Sequence, residues 1–183
     1  MIAYVFWHTR LADVPAGAYE SGLSAFHRSL TVNTPQGFQS STSCCFEGLP
    51  WVQKSDVYED WYLVNDFESL GILNDRAAAD RHAETHDHVA SYSETGTGSI
   101  YALEAGAPIL DADFAYWFDK PDGVSTATFL NEIRPIAESP GRALWRRQLS
   151  LGPATEYCIR SASRIELPFK FSVAQVKRRA WPQ

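Results

Sequence analysis

An α+β fold built from two similar halves is predicted by three features of the sequence. The first is a recurring opening: Ala3-Tyr4-Val5-Phe6-Trp7 and Ala115-Tyr116-Trp117-Phe118-Asp119 match at Ala, Tyr and Phe, and each runs into a stretch of helical spacing. The second is a later match in the same order, Asp60-Trp61-Tyr62-Leu63 against Glu156-Tyr157-Cys158-Ile159, repeating acid, aromatic, variable, aliphatic. The third is the alternation of short β-rich runs with apolar stripes spaced three and four residues apart, the two periods that separate strands from helices.

In order along the chain, the apolar run at residues 1–8 forms the first strand. A helix follows, with Pro15 near its start, where a missing N–H costs nothing, and Tyr19, Leu23, Phe26 and Leu30 as its buried stripe. Residues 38–47 and 58–65 read as strands. Asp66 then caps a helix whose stripe is Phe67, Leu70, Leu73 and Ala77. A polar stretch, residues 81–93, leads to a glycine-rich turn, Thr95-Gly96-Thr97-Gly98, and a strand at 99–105. Residues 1–106 therefore read as β-α-β-β-α-β, with a link at 107–112. Residues 113–183 repeat the scheme: an opening strand, then a helix capped by Ser125 with Phe129, Leu130, Ile133 and Ala137 inward and Pro135 kinking or shortening it, then strands at 143–151 and 155–161. This half ends in an extended tail, 166–181, where Val173, Val176 and Trp181 mark a last strand. It has no second helix, and the two halves are expected to pack as one unit.

Composition narrows the function. Six Trp, eight Tyr and ten Phe in 183 residues, with 45% hydrophobic residues, describe a chain able to bury a core. With 22 acidic against 16 basic residues the net charge is −6, which disfavours phosphate-backbone binding, so no nucleic-acid partner is expected. Lys177-Arg178-Arg179 is too short to change that. No segment approaches the roughly 20 apolar residues of a membrane helix, and the amino terminus lacks the basic start of a signal peptide. Three cysteines, two of them adjacent (Cys44, Cys45), read as reduced thiols. A cytoplasmic protein is expected. Cys158 is either a nucleophile or a small buried apolar residue.

The split β-α-β order is that of ferredoxin-like folds. One such sheet leaves an apolar face uncovered; two in one chain can close face to face around a lumen. On this topology, and on Tyr58-Glu59-Asp60-Trp61-Tyr62-Leu63-Val64 and the stretch from Trp145 to Pro153, the chain resembles bacterial members of the dimeric α+β barrel superfamily, in a tandem form. The resemblance implies cofactor-free monooxygenases, isomerases, polyketide cyclases or haem proteins as functional relatives. It also implies a homodimer as one use of the flank that the absent second helix leaves bare.

Candidate site residues follow from strand alternation. Val5, Trp7, Trp117 and Asp119 are assigned to the lumen, with Tyr4, Phe6 and His8 on the opposite face. Trp145, Arg147, Leu149 and Leu151 share one face of their strand. Trp7, Trp51, Trp61, Trp117, Trp145 and Tyr157 are the expected binding surface for a small hydrophobic or aromatic metabolite, with Trp51 lidding the lumen or packing on it. Asp60 and Glu156 are expected to be related by the pseudo-twofold. They either sit desolvated among Trp61, Tyr157 and Trp145 as acid–base groups, or pair with Arg146, Arg147 or Arg160. His8, His86, Asp60, Asp119, Arg147 and Glu156 are the catalytic candidates for proton-transfer chemistry. No cofactor is required by this reading. In the alternative, His82 and His86, spaced i and i+4, hold a divalent metal or one of them or His8 holds a haem, although Glu84 is displaced from the H-E-x-x-H pattern. A non-catalytic binding or assembly module is the third reading. Gly96-Thr97-Gly98 follows a helix and precedes a strand, the reverse of a phosphate-binding loop.

Overall fold

The computed structural model of the chain describes residues 1–52, 54–150 and 152–182; Leu151, assigned above to a strand face, lies outside them. The first half comprises β1 (Ile2–Arg10), α1 (Ala16–Val32), β2 (Phe38–Phe46), β3 (Val57–Val64), α2 (Phe67–Ala77), α3 (Ala83–Ala90) and β4 (Ser93–Gly106). The second comprises β5 (Phe114–Phe118), α4 (Thr126–Ala137), β6 (Arg142–Ser150), β7 (Tyr157–Ser161) and β8 (Ser172–Trp181). The eight strands close into one barrel in the order β1-β3-β2-β8-β5-β7-β6-β4, every neighbouring pair antiparallel. β1 runs between β3 and β4 just as β5 runs between β7 and β8, and the halves join at β4–β6 and β2–β8. The tandem ferredoxin-like architecture therefore closes within one chain and leaves no open sheet edge in the barrel.

Local sequence explains the helices. Pro15 occupies the α1 N-cap at φ −61°, and Tyr19, Leu23, Phe26 and Leu30 are buried as their spacing predicts. The Asp66 carboxylate accepts the Ser69 N–H at 2.8 Å and the Ser125 hydroxyl accepts the Thr128 N–H at 3.1 Å, so both predicted caps form. Pro135 lies in the last turn of α4, which ends two residues later at Ala137. Among the described residues no helix is long and apolar enough to cross a membrane.

Two expectations change. The glycine-rich turn is not a turn: Gly96 and Gly98 lie inside β4, opposite His8 and Phe6 of β1. A Cβ on Gly96 would fall 2.2 Å from Phe6 Cζ, and one on Gly98 would fall 2.8 Å from Tyr4 Cε2. The glycines are there so that the Tyr4 and Phe6 rings can lie flat across the neighbouring strand. Phe6 cannot easily yield, because it stacks on His8 at 5.1 Å and Tyr4 at 6.1 Å. Gly96→Ala should therefore destabilise the fold by about 1–3 kcal/mol through overpacking, read as a lower urea midpoint at unchanged slope.

The flank expected to be bare in the second half is also covered. Between β7 and β8 the chain runs without regular secondary structure and places Ile165, Leu167, Phe169 and Phe171 against the core beneath α4. They pack on Tyr116, Phe118 and Phe129, and the Ile165 N–H donates to the Tyr116 hydroxyl at 2.8 Å. An irregular segment thus replaces the absent helix and removes the apolar surface on which the assembly reading rested.

Candidate active site

The barrel has one interior core and two outer cores beneath the helices. Side chains on the β1 face of Ala3, Val5 and Trp7 point inward with Trp61 and Leu63 of β3, Tyr101 of β4, Trp117 of β5, and Trp145 of β6. The lumen assignment therefore holds for Val5, Trp7 and Trp117 but not for Asp119, which lies exposed beyond the end of β5. Their rings fill the interior. Trp51, from the loop between β2 and β3, meets Trp7 and Trp117 edge-on at 5.1 Å each, Trp7 meets Trp117 at 5.4 Å, and Trp61 meets Trp145 at 5.2 Å.

Among the described residues one carboxylate stands within this aromatic interior, and it is Glu59. Its Oε2 accepts the Trp7 indole N–H at 2.8 Å, its Oε1 accepts the Trp61 indole N–H at 2.6 Å, and the residue has no exposed surface. Burial pushes its carboxyl above the ordinary glutamate range; the Arg160 guanidinium and the two indoles offset part of that rise, and neighbouring Asp60 adds to it. The donors outnumber the acceptors here. The indole N–H groups of Trp51, Trp117 and Trp145 are buried with no hydrogen-bond partner. Buried orphan donors are rare in native folds and mark places where an acceptor is expected. The Cys158 thiol, also in this core, is held well above its usual range by burial, so it stays a protonated apolar filler rather than a nucleophile.

Asp60 faces the other way, and the expected pairing with Glu156 does not form. Asp60 is opposite Phe6 in the first half as Tyr157 is opposite Phe118 in the second, so the residue related to Asp60 is Tyr157. Both point to the helix side, Tyr157 against Phe118 and Phe129. The short acid-to-acid match is one residue out of register, and one residue exchanges the faces of a strand. Asp60 instead anchors a buried polar cluster under α1. Its Oδ2 lies 3.2 Å from His8 Nε2 and 3.3 Å from His27 Nε2, at ion-pair distance rather than in aligned hydrogen-bond geometry, and accepts the Tyr62 hydroxyl at 2.9 Å. His8 Nδ1 meets the Tyr19 hydroxyl at 2.6 Å, and His27 Nδ1 meets the Ser41 hydroxyl at 2.7 Å. Burial alone would raise the Asp60 carboxyl, but the two imidazoles outweigh it and hold it below the ordinary range. Ser41, His27 and Asp60 are the residue types of a hydrolase triad. All three are buried and packed between the sheet and α1, so the cluster holds that helix to the sheet.

The remaining candidates are dispersed. Asp119 lies just past β5, exposed, and accepts the Glu156 backbone N–H at 2.8 Å, so these two acids terminate strands. Arg147 donates to the Ala154 carbonyl. His82 is buried on Ser29 of α1, its Nδ1 2.9 Å from that hydroxyl, whereas His86 lies against Phe26 and beside Asp87. Among the described residues no group of three or more His, Cys, Asp or Glu side chains is arranged to hold a metal ion. An open groove of about 440 Å³ lies at the barrel mouth, with Leu49, Val52 and Ala174 forming a floor that belongs to the interior core. Sequence reasoning passed over Glu59 and His27. Glu59 was legible, since period two places it on the same face as Trp61.

No family model matches the sequence, and no curated protein matches it. Solved structures do share its architecture. A putative monooxygenase from Lactobacillus acidophilus NCFM superposes with a TM-score of 0.63 at 11% identity, over 98% of this chain and 93% of that one. A putative monooxygenase from Fusobacterium nucleatum gives 0.59 at 12% identity, over 96% and 76% of the two chains. An anthrone oxidase-like protein gives 0.52 at 12% identity, over 99% and 94%. At these identities the likeness is one of fold: the chain is a tandem ferredoxin-like α+β barrel.

Proposed function

We propose that the chain is a small enzyme of the cofactor-independent monooxygenase type, acting on an aromatic metabolite by proton transfer inside the barrel. The observation that carries this reading is Glu59, a carboxylate buried without exposure among tryptophans, next to indole N–H groups that have no acceptor. A flat substrate takes the space of the Trp51 ring over Trp7 and Trp117, entering from the groove at the mouth. Glu59 then removes an acidic C–H or O–H proton. Free N–H donors of Trp117 and Trp145 receive the oxygen on which negative charge develops; the electron-rich carbon adds dioxygen, takes the proton back from Glu59 as a hydroperoxide and loses water as the O–O bond breaks to leave a carbonyl, or it is reprotonated elsewhere in an isomerase outcome. A carboxylate whose affinity for protons is raised by burial is a better base than one in water. The names of the neighbouring structures support this reading at the level of fold.

The test is oxygen uptake by the purified protein with anthrone, an enolisable tricyclic ketone, together with quenching of tryptophan emission. Saturable uptake above the protein-free rate, with quenching over the same concentrations, is expected. Absence of both with anthrone and with a panel of phenolic and polycyclic ketones overturns the reading. Quenching without uptake favours the second reading, a non-catalytic binding module. As a check on the route of entry, Trp51→Ala should leave the fold intact and raise the rate at which acrylamide quenches the interior tryptophans.

A further inference from the structure

Trp61 stands between two buried ionisable side chains. Its N–H donates to Glu59 at 2.6 Å, and the Arg160 guanidinium lies over its ring with Cζ 4.9 Å from the centroid. Arg160 is 4% exposed, yet it forms none of the ion pairs among the described residues; the one side-chain hydrogen bond of its guanidinium there is to the Thr42 hydroxyl at 3.3 Å. A buried cation and a buried carboxylate are each costly alone, and here they share one aromatic ring instead of touching. The ring supplies a negative face to the guanidinium and a positive N–H edge to the carboxylate.

We infer that Arg160 is the positioning residue that keeps Glu59 in its carboxylate form, acting through the Trp61 ring. The other groups facing Glu59 cannot do so. Cys44 opposes it on β2, Cys158 faces it from β7 and Tyr101 from β4, all three held protonated by burial, and Asp60 on the other face of β3 adds negative charge. β1, β5 and β6 contribute Trp7, Trp117 and Trp145, which do not titrate. Arg147 on β6 is committed to the Ala154 carbonyl, and Arg179 on β8 meets Cys44 Sγ at 3.4 Å and the Leu110 carbonyl at 2.8 Å.

The test is a pH titration of tryptophan emission, since Trp7 and Trp61 both bond to Glu59. The wild-type chain should show one midpoint that Glu59→Gln abolishes. Arg160→Met should move it upward by about one pH unit or more. Arg160→Lys should also move it upward, by less, because an ammonium cannot lie flat over the ring as a guanidinium does. Should Arg160→Met fail to fold, Arg160→Lys carries the test alone. A merely structural role would lower stability without moving the midpoint, so a folded variant that titrates at the wild-type midpoint overturns the inference. The link to catalysis rests on the proposed function, which would add an equal upward shift in the acid limb of turnover. A moved midpoint in a protein without turnover leaves Arg160's role standing and removes the enzyme reading. Turnover sensitive to Glu59 with an unmoved midpoint does the reverse.

Discussion

Glu59→Gln should lower turnover by about 10²–10⁴-fold with little change in KM, the range over which a positioned general base accelerates proton abstraction. The amide keeps the volume and removes the basic oxygen, so substrate still packs against the same rings. The exchange also replaces one acceptor by an N–H₂ donor, leaving Trp7 or Trp61 facing a donor; a modest loss of stability should accompany the loss of activity. The pH profile provides the sharper check. Burial raises the Glu59 carboxyl above its ordinary value of 4.5, and the base is the ionised form. Wild-type turnover should therefore rise with pH through that raised value, whereas the residual rate of the variant should lack this limb. The same shift has the opposite consequence for folding. The folded state holds the Glu59 proton more tightly than the unfolded chain, so this residue's contribution to stability falls as pH rises from the ordinary glutamate range through the raised value.

Asp60→Ala should be the most destabilising single change, at about 3–5 kcal/mol, because it strips the partner from two buried imidazoles and from a buried tyrosine hydroxyl at once. On a fold of marginal stability that is a large share of the total, and the variant should show a far lower urea midpoint or accumulate unfolded. Asp60→Asn, which keeps the shape, separates lost charge from lost packing. In the wild type the cluster also fixes an acid limit. Burial raises the Asp60 carboxyl but the imidazoles depress it further, to below its unfolded value of 3.8. Its contribution is complete above that unfolded value and is lost as pH falls toward the depressed one. Denaturation curves from pH 7 down to pH 3 should steepen in their pH dependence at the acid end in the wild type, and much less in Asp60→Asn.

The parts of this molecule that were legible in the sequence were those written by local physics. The caps at Asp66 and Ser125, the α1 stripe and the inward face of β1 and β5 all follow from spacing and residue type within a few positions. What escaped depended on register or on distant partners. Aligning Asp60 with Glu156 paired acid with acid and slipped the strand by one residue, hiding Glu59 behind its neighbour. His27 falls among Phe26, Leu23 and Leu30 on an apolar helix, and nothing local announces that its partner is Asp60 on β3. Likewise Gly96 and Gly98 look like a turn until Phe6 and Tyr4 are known to cross them.

Carrying both halves in one polypeptide also lets them differ. In an assembly of identical copies, every substitution is made twice, and an acid buried on one side of the axis faces its duplicate on the other. Here Trp7 holds Glu59 inside, while at the matching point Asp119 and Glu156 meet at the surface. Asymmetry of this kind lets a closed compartment carry one ionisable group without its mirror image, and thereby avoids the mutual repulsion that two such groups would impose on each other.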